Sequence, residues 1–120
     1  MNNTIVEAFA YWGIVPESEA EMQVIIDRHH RRWVIEYPRN SEVFTLYCKL
    51  NRQPCSESEA REWLGLNFQR SIMSCAWAGL NHDGLVLGVT LPNSSVNASQ
   101  LLSLFENMFL LRATLEMKFS

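Results

Sequence analysis

The side chains best able to do chemistry lie in three short stretches. Arg28-His29-His30-Arg31-Arg32 joins two imidazoles to three guanidinium groups, a composition that could ligate a metal or touch phosphates. Cys55 and Cys75 could each act as a nucleophile with His82 as base. Glu17, Glu19 and Glu21 could be taken for an acid and base set. Each has a plainer reading. No Cys or further His stands at ligand spacing from His29-His30, so that run is expected as a solvated hairpin tip without metal. Carboxylates on a mobile loop lack the burial that would separate their pKa values, and a buried structural thiol is the default for Cys75. No Walker-type or G-x-G-x-x-G loop occurs. No cofactor and no catalytic residue is therefore expected, and the chain reads as a binding protein rather than an enzyme.

Composition points the same way. The 120 residues carry 10 basic and 13 acidic side chains, net −3, which argues against a nucleic-acid binder, since such proteins advertise a basic face. Hydrophobic residues make up 48%, with four Trp and six Phe, enough for a single domain over 1–120 with one core and too many for disorder. Cys48, Cys55 and Cys75 are an odd number without a C-x-x-C pair, the pattern of reduced thiols in a cytosol. The stretch from Met1 to Gly13 holds no Lys or Arg and carries Glu7 within its apolar run, unlike a secretory signal. No apolar run approaches the ~20 residues of a membrane helix. Asn2-Asn3-Thr4, Asn93-Ser94-Ser95 and Asn97-Ala98-Ser99 match the glycosylation acceptor pattern but read as turn and cap residues when no export signal is present.

The elements that would position these residues follow from periodicity. Thr4 with Glu7 three residues on forms a capping box, and Ile5, Val6, Ala8, Phe9 and Trp12 follow at helical spacing until Gly13 and Pro16 stop the helix. From Met22 the period becomes two: Met22, Val24 and Ile26 make an apolar face, and Gln23, Ile25 and Asp27 a mixed one. Trp33, Ile35 and Tyr37 share a face in the run Trp33 to Tyr37, as do Phe44, Leu46, Cys48 and Leu50 in the run Val43 to Leu50. Short connections join these three strands into an antiparallel meander. Ser56 and Glu59 form a second capping box, which opens a helix with Ala60, Trp63, Leu64, Asn67, Phe68 and Ile72 on one stripe. Met73 to Asn81 and Leu85 to Leu91 are the strands of a hairpin turned at Asn81-His82-Asp83-Gly84. A helix from Asn97 to Phe119 carries Leu101, Leu104, Phe105, Met108, Phe109, Leu111, Leu115 and Phe119 on a wide apolar face. The order helix, three strands, helix, two strands, helix predicts an α+β domain whose five-stranded, mainly antiparallel sheet is covered by helices on one face.

Apolar residues exceed what one core needs. The first helix adds Val6 and Tyr11 to the line of Ile5, Phe9 and Trp12, and the middle helix sets Trp63 and Phe68 beside Leu64. Such a surplus marks a partner surface, although any one of these residues also fits a core.

Leu64-Gly65-Leu66-Asn67, then Ala76-Trp77-Ala78-Gly79-Leu80, then Asp83-Gly84-Leu85-Val86-Leu87, then Leu91-Pro92, then a long helix with Leu101, Phe105 and Leu111 stand in this order. That succession resembles the second half of the class I type III secretion chaperones, the Tir chaperone (CesT-like) family. The resemblance implies a twisted antiparallel sheet in a cytoplasmic bacterial homodimer, without enzymatic activity, cofactor, metal, nucleic-acid partner or membrane insertion. Its partner would be a secreted effector, whose N-terminal chaperone-binding segment it would hold in extended form, soluble and competent for export. The resemblance places effector-binding residues at Ile5, Phe9, Trp12, Ile25 and Leu87, and the dimer interface at Trp63, Leu66, Asn67, Arg70 and Trp77. The first helix, ending at Gly13, is short for the family and implies a reduced first groove. Two other readings stay open: a dimeric adaptor domain of the same fold without a secretion partner, and a small thiol enzyme using Cys55 or Cys75 with a histidine.

Overall fold

The structure, a computed structural model, describes residues 3–119. Asn2 of the first acceptor triplet lies outside the described residues. Helix α1 (Asn3–Ala10) leads into strands β1 (Met22–Ile26), β2 (Arg32–Glu36) and β3 (Val43–Lys49). Helices α2 (Glu57–Gly65) and α3 (Arg70–Met73), strands β4 (Ala76–Asn81) and β5 (Gly84–Pro92), and helix α4 (Ala98–Lys118) complete the chain. The five strands form one antiparallel sheet in the order β1-β2-β3-β5-β4, so β1 and β4 are its edges. The α+β order expected from periodicity is the order found.

Local chemistry explains the helix ends. Gly13 adopts φ +70°, its N–H meets the Ala10 carbonyl at 3.1 Å, and the Ile14 N–H meets the Phe9 carbonyl at 3.0 Å. This pair of bonds requires a left-handed residue, which glycine supplies without steric cost. The predicted cap at Thr4 is displaced, because α1 already begins at Asn3. At α2, Ser56 Oγ accepts the Glu59 N–H at 3.0 Å. The Glu59 carboxylate turns outward to Arg52 at 2.8 Å and to the Cys55 N–H at 3.1 Å, leaving half of the predicted capping box. The box at α4 is complete, with Asn97 and Gln100 bonding in both directions.

The inner face of the sheet holds Trp33, Ile35, Tyr37, Phe44, Leu46, Cys48 and Leu50, all buried in the predicted alternation. Leu101, Phe105, Met108, Phe109 and Leu115 of α4 cover them. Trp33 packs on Phe109 at 5.2 Å, and Trp63 meets Phe119 edge-on at 5.0 Å. Strand β1 reverses its expected faces. Ile25 and Asp27 turn inward, while Met22 and Ile26 are 52% and 55% exposed. Register is the cause: Ile25 stands opposite Trp33 and Gln23 opposite Ile35, and directly paired residues must share a face.

The middle helix also departs from expectation. It ends at Gly65, and a single 3₁₀ turn over Leu66–Phe68 redirects the chain into α3. The break rotates the stripe, so Leu66 and Met73 enter the core while Phe68 is 90% exposed and Ile72 half exposed. Ser74, at φ +52°, then turns the chain into β4 at Ala76 rather than Met73, leaving Cys75 exposed instead of buried.

Two charged residues are buried among the described residues, Asp27 and Arg112. Arg112 of α4 is buried, with Nε 2.9 Å from Glu116 and a terminal nitrogen on Cys48 Sγ. Glu116 also receives Arg31 at 3.3 Å, so the guanidinium is paired, as a buried charge must be. Burial pushes the Cys48 thiol up to about 12 against the opposing pull of Arg112, which keeps it protonated and poorly nucleophilic.

On the open face, Trp77 lies across Gly88, its partner in the β4–β5 register, and donates from Nε1 to Thr90 Oγ1 at 3.2 Å. A methyl group at Gly88 would stand 2.4 Å from that ring.

Gly84 opens β5 at φ +109°, where a Cβ would lie 2.0 Å from the Arg52 carbonyl oxygen. That oxygen accepts the Leu85 N–H at 3.0 Å. Gly84→Ala is expected to cost about 2–4 kcal/mol, since it adds a backbone clash to a forbidden φ. The Tm, followed by circular dichroism, should fall by about 10 °C.

Candidate functional site

A residue in an antiparallel ladder points its N–H and C=O either at its neighbour strand or away from it, in alternation. The Tyr37 N–H meets the Glu21 carbonyl at 2.8 Å, and the Asp27 N–H meets the Arg31 carbonyl at 3.0 Å. These two bonds set the phase of β1. Positions 21, 23, 25 and 27 face β2, and Met22, Val24 and Ile26 present their backbone groups to the open side. Gln23 Nε2 reaches the Val24 carbonyl at 3.2 Å, a bond from the strand's own side chain.

Below this edge runs a groove of about 490 Å³. Its wall is aromatic and aliphatic: Trp12 and Ile14 from the turn that follows α1, Ile25 from β1, and Phe109 from α4. Trp12 stacks on Phe105 at 5.0 Å, and Phe105 on Phe109 at 6.5 Å, so the wall is fixed from behind. Arg28 and Glu106 pair at 3.1 Å and also line the groove. Asp27 lines it too, accepting Trp33 Nε1 at 2.9 Å and the N–H groups of His29 and Arg31 at 2.8 and 3.0 Å. The basic run is thus a turn braced by one carboxylate and by ion pairs to α4, consistent with a hairpin tip.

The opposite edge is capped along its first half. Asn67 and Arg70 hydrogen-bond to the β4 backbone at Ala78 and Ala76.

Of the residues assigned to effector binding, Trp12 and Ile25 line the groove. Ile5, Phe9 and Leu87 have no exposed surface and belong to the core of the chain itself, because α1 and β5 turn their apolar faces under α4 and the sheet. Of those assigned to the dimer interface, Trp63 and Leu66 are likewise internal, with the Trp63 Nε1 on the Gly79 carbonyl at 2.8 Å. Asn67 and Arg70 serve the β4 edge, and Trp77 lies half-buried on the open face. Sequence reasoning missed Ile14, Val24, Glu106 and Phe109 as groove residues. The signal for Val24 was present in the alternation of β1 and was assigned to the wrong side. Cys55 Sγ lies 3.1 Å from Glu59, and His82 pairs with Asp83 at 3.4 Å, so the thiol and imidazole of the enzyme reading have other partners. Among the described residues, no His, Cys, Asp and Glu cluster could hold a metal and no helix is long and apolar enough to cross a membrane.

No family model and no curated protein matches the sequence. Solved structures match its shape. A chain of the ExsC–ExsE complex aligns with TM-score 0.67 and 12% identity over 91% of this chain and 90% of that one. A chain of the HopA1–SchA chaperone–effector complex aligns with TM-score 0.70 and 10% identity, over 92% and 88%. A chain of the heterodimeric ExoU–SpcU complex from the type III secretion system of Pseudomonas aeruginosa gives 0.69 and 18%, over 87% and 88%. This chain has the fold of those chains along nearly its whole length.

Burial alone would raise the pKa of Asp27, but the hydrogen bonds from Trp33, Arg31 and His29, with the charge of His29, hold it below its ordinary 3.8. A carboxylate with a depressed folded pKa stabilises the fold fully above its unfolded value and loses that contribution as pH falls through the folded one. Stability should therefore decline below about pH 4. Asp27→Asn should cost about 1–3 kcal/mol at pH 7 and flatten this acid limb, measured by urea unfolding at pH 7 and pH 3.

Proposed function

We propose that this chain is a cytosolic bacterial chaperone of type III secretion, which binds the N-terminal segment of an effector in extended form and keeps it soluble until export. One observation carries the reading: an edge strand with outward backbone groups at Met22, Val24 and Ile26 stands over a preformed aromatic groove. An added strand would gain main-chain hydrogen bonds from β1. Its side chains would alternate between the groove of Trp12, Ile14 and Phe109 and the exposed Met22 and Ile26, the arrangement of β-augmentation. The fold supports the same reading, since it is shared with chains solved in a chaperone–effector complex and in a type III secretion complex. The protonated Cys48 and the separate partners of Cys55 and His82 favour binding over thiol chemistry.

The chain acts as a homodimer in this reading, with its seam on the flank of α2 and α3. Both α2 and the turn after it pack against β4. Phe68 and Ile72 emerge there at 90% and 50% exposure, with Leu64 and Leu80 less so. Large apolar side chains left this open are stabilised by a partner surface. They replace Trp63 and Leu66 as the contacts, because those two are spent inside the protomer.

Co-expression with a secreted protein encoded by a neighbouring gene, followed by size-exclusion chromatography, should give two copies of this chain with one of the effector. Failure of every such N-terminal segment to co-elute would overturn the proposal. Val24→Pro removes an outward N–H from an edge position where proline is tolerated, and should lower effector affinity at least about tenfold with little change in Tm. Phe68→Asp should shift the chain from dimer to folded monomer by light scattering, and an unchanged dimer mass would move the seam elsewhere.

A further inference from the structure

Strand β4 is an edge like β1, yet side chains from outside the strand meet its outward groups at Ala76 and Ala78. Asn67 Nδ2 donates to the Ala78 carbonyl at 2.8 Å, and the Ala78 N–H donates to Asn67 Oδ1 at 2.8 Å. This is the exchange of two bonds that one residue of a neighbouring strand would make. The amide orientation follows from the pairing, since a flipped carboxamide would set donor against donor and acceptor against acceptor. The carboxamide is itself fixed by a bond to the Leu64 carbonyl at 3.0 Å. Arg70 extends the seal, with Nη1 on the Ala76 carbonyl at 3.1 Å and on the Asn67 carbonyl at 3.2 Å, and Nη2 on Ser74. The break after Gly65 makes this possible, because it brings Asn67 back against the strand rather than along a continuing helix.

We propose that Asn67, backed by Arg70, decides which edge of the sheet accepts an extended chain: it occupies the strand-pairing sites of β4 and leaves β1 as the docking edge. The assignment extends the strand-addition reading of β1, but its first readout is independent of that reading. In the free, full-length protein, Asn67→Ala should speed hydrogen exchange of the Ala78 amide at least about tenfold relative to amides of β3. Unchanged Ala78 exchange in folded Asn67→Ala overturns the proposal.

The second readout adds an acetylated, amidated decapeptide of alternating Thr and Val as a strand probe. In the wild type, slowed exchange should appear at Met22, Val24 and Ile26 and not at Ala78. In Asn67→Ala it should appear at both edges. Protection at β1 alone in that variant overturns the edge assignment, whereas absence of protection at β1 in both proteins overturns the docking reading and leaves Asn67 to be judged by the free-protein exchange. Should Asn67→Ala fail to fold, Asn67→Gln, whose amide is displaced by one methylene from the Ala78 backbone, carries the same comparison at Ala78.

Discussion

An open sheet ends in two rows of backbone N–H and C=O groups that must find a partner. The rest of this molecule is arranged around the unequal treatment of those rows. At β4 the chain supplies the partner itself, bending after Gly65 so that Asn67 and Arg70 meet the strand. At β1 it supplies a groove instead of a partner. The two solutions depend on each other through the helices: α2 and the turn after it are spent on β4, and α1 with α4 wall the groove beside β1.

The groove keeps its shape because its side chains are held from behind by a stack that starts at Trp12 and runs through Phe105 and Phe109 to Trp33. Beyond Trp33 the support becomes polar. Asp27 receives the Trp33 indole, and Arg112 and Arg31 meet on Glu116. Apolar contact thus fixes the wall and charge fixes the turn at the end of β1, and both converge on α4. Such a site needs little reordering to accept a chain, which limits the entropic cost of binding.

Much of the fold was legible in the residues. Period-two runs named β2 and β3, the Asp83-Gly84 turn named the hairpin of β4 and β5, and Gly13 and Asn97 marked helix ends through their own backbone chemistry. What misled was information held between segments. The faces of β1 depend on its pairing with Trp33 and Ile35, and both alternations of Met22 to Asp27 contain apolar residues, so the strand alone could not choose. The helical stripe that included Phe68 and Ile72 failed because nothing local in Leu64-Gly65-Leu66-Asn67 announces that Asn67 pairs with Ala78, eleven residues further along the chain. For the site, Trp12 and Ile25 were named through the family resemblance, and both line the groove. Ile5, Phe9 and Leu87 could not be separated from them, because core and groove ask for the same side chains until the covering helix is placed.

Trp77 and Gly88 carry a consequence for how this sequence can change. The indole fills the space that any side chain at position 88 would take, so a larger residue there is excluded while the tryptophan stays. Loss of the tryptophan first would leave a bare glycine on two faces of a central strand, weak in strand propensity. Each position therefore sets the tolerance of the other, and substitutions at the two are expected to be strongly non-additive. A lineage leaving this pair must cross by way of a small residue at 77, which makes the open face of the sheet slow to drift even where no partner constrains it.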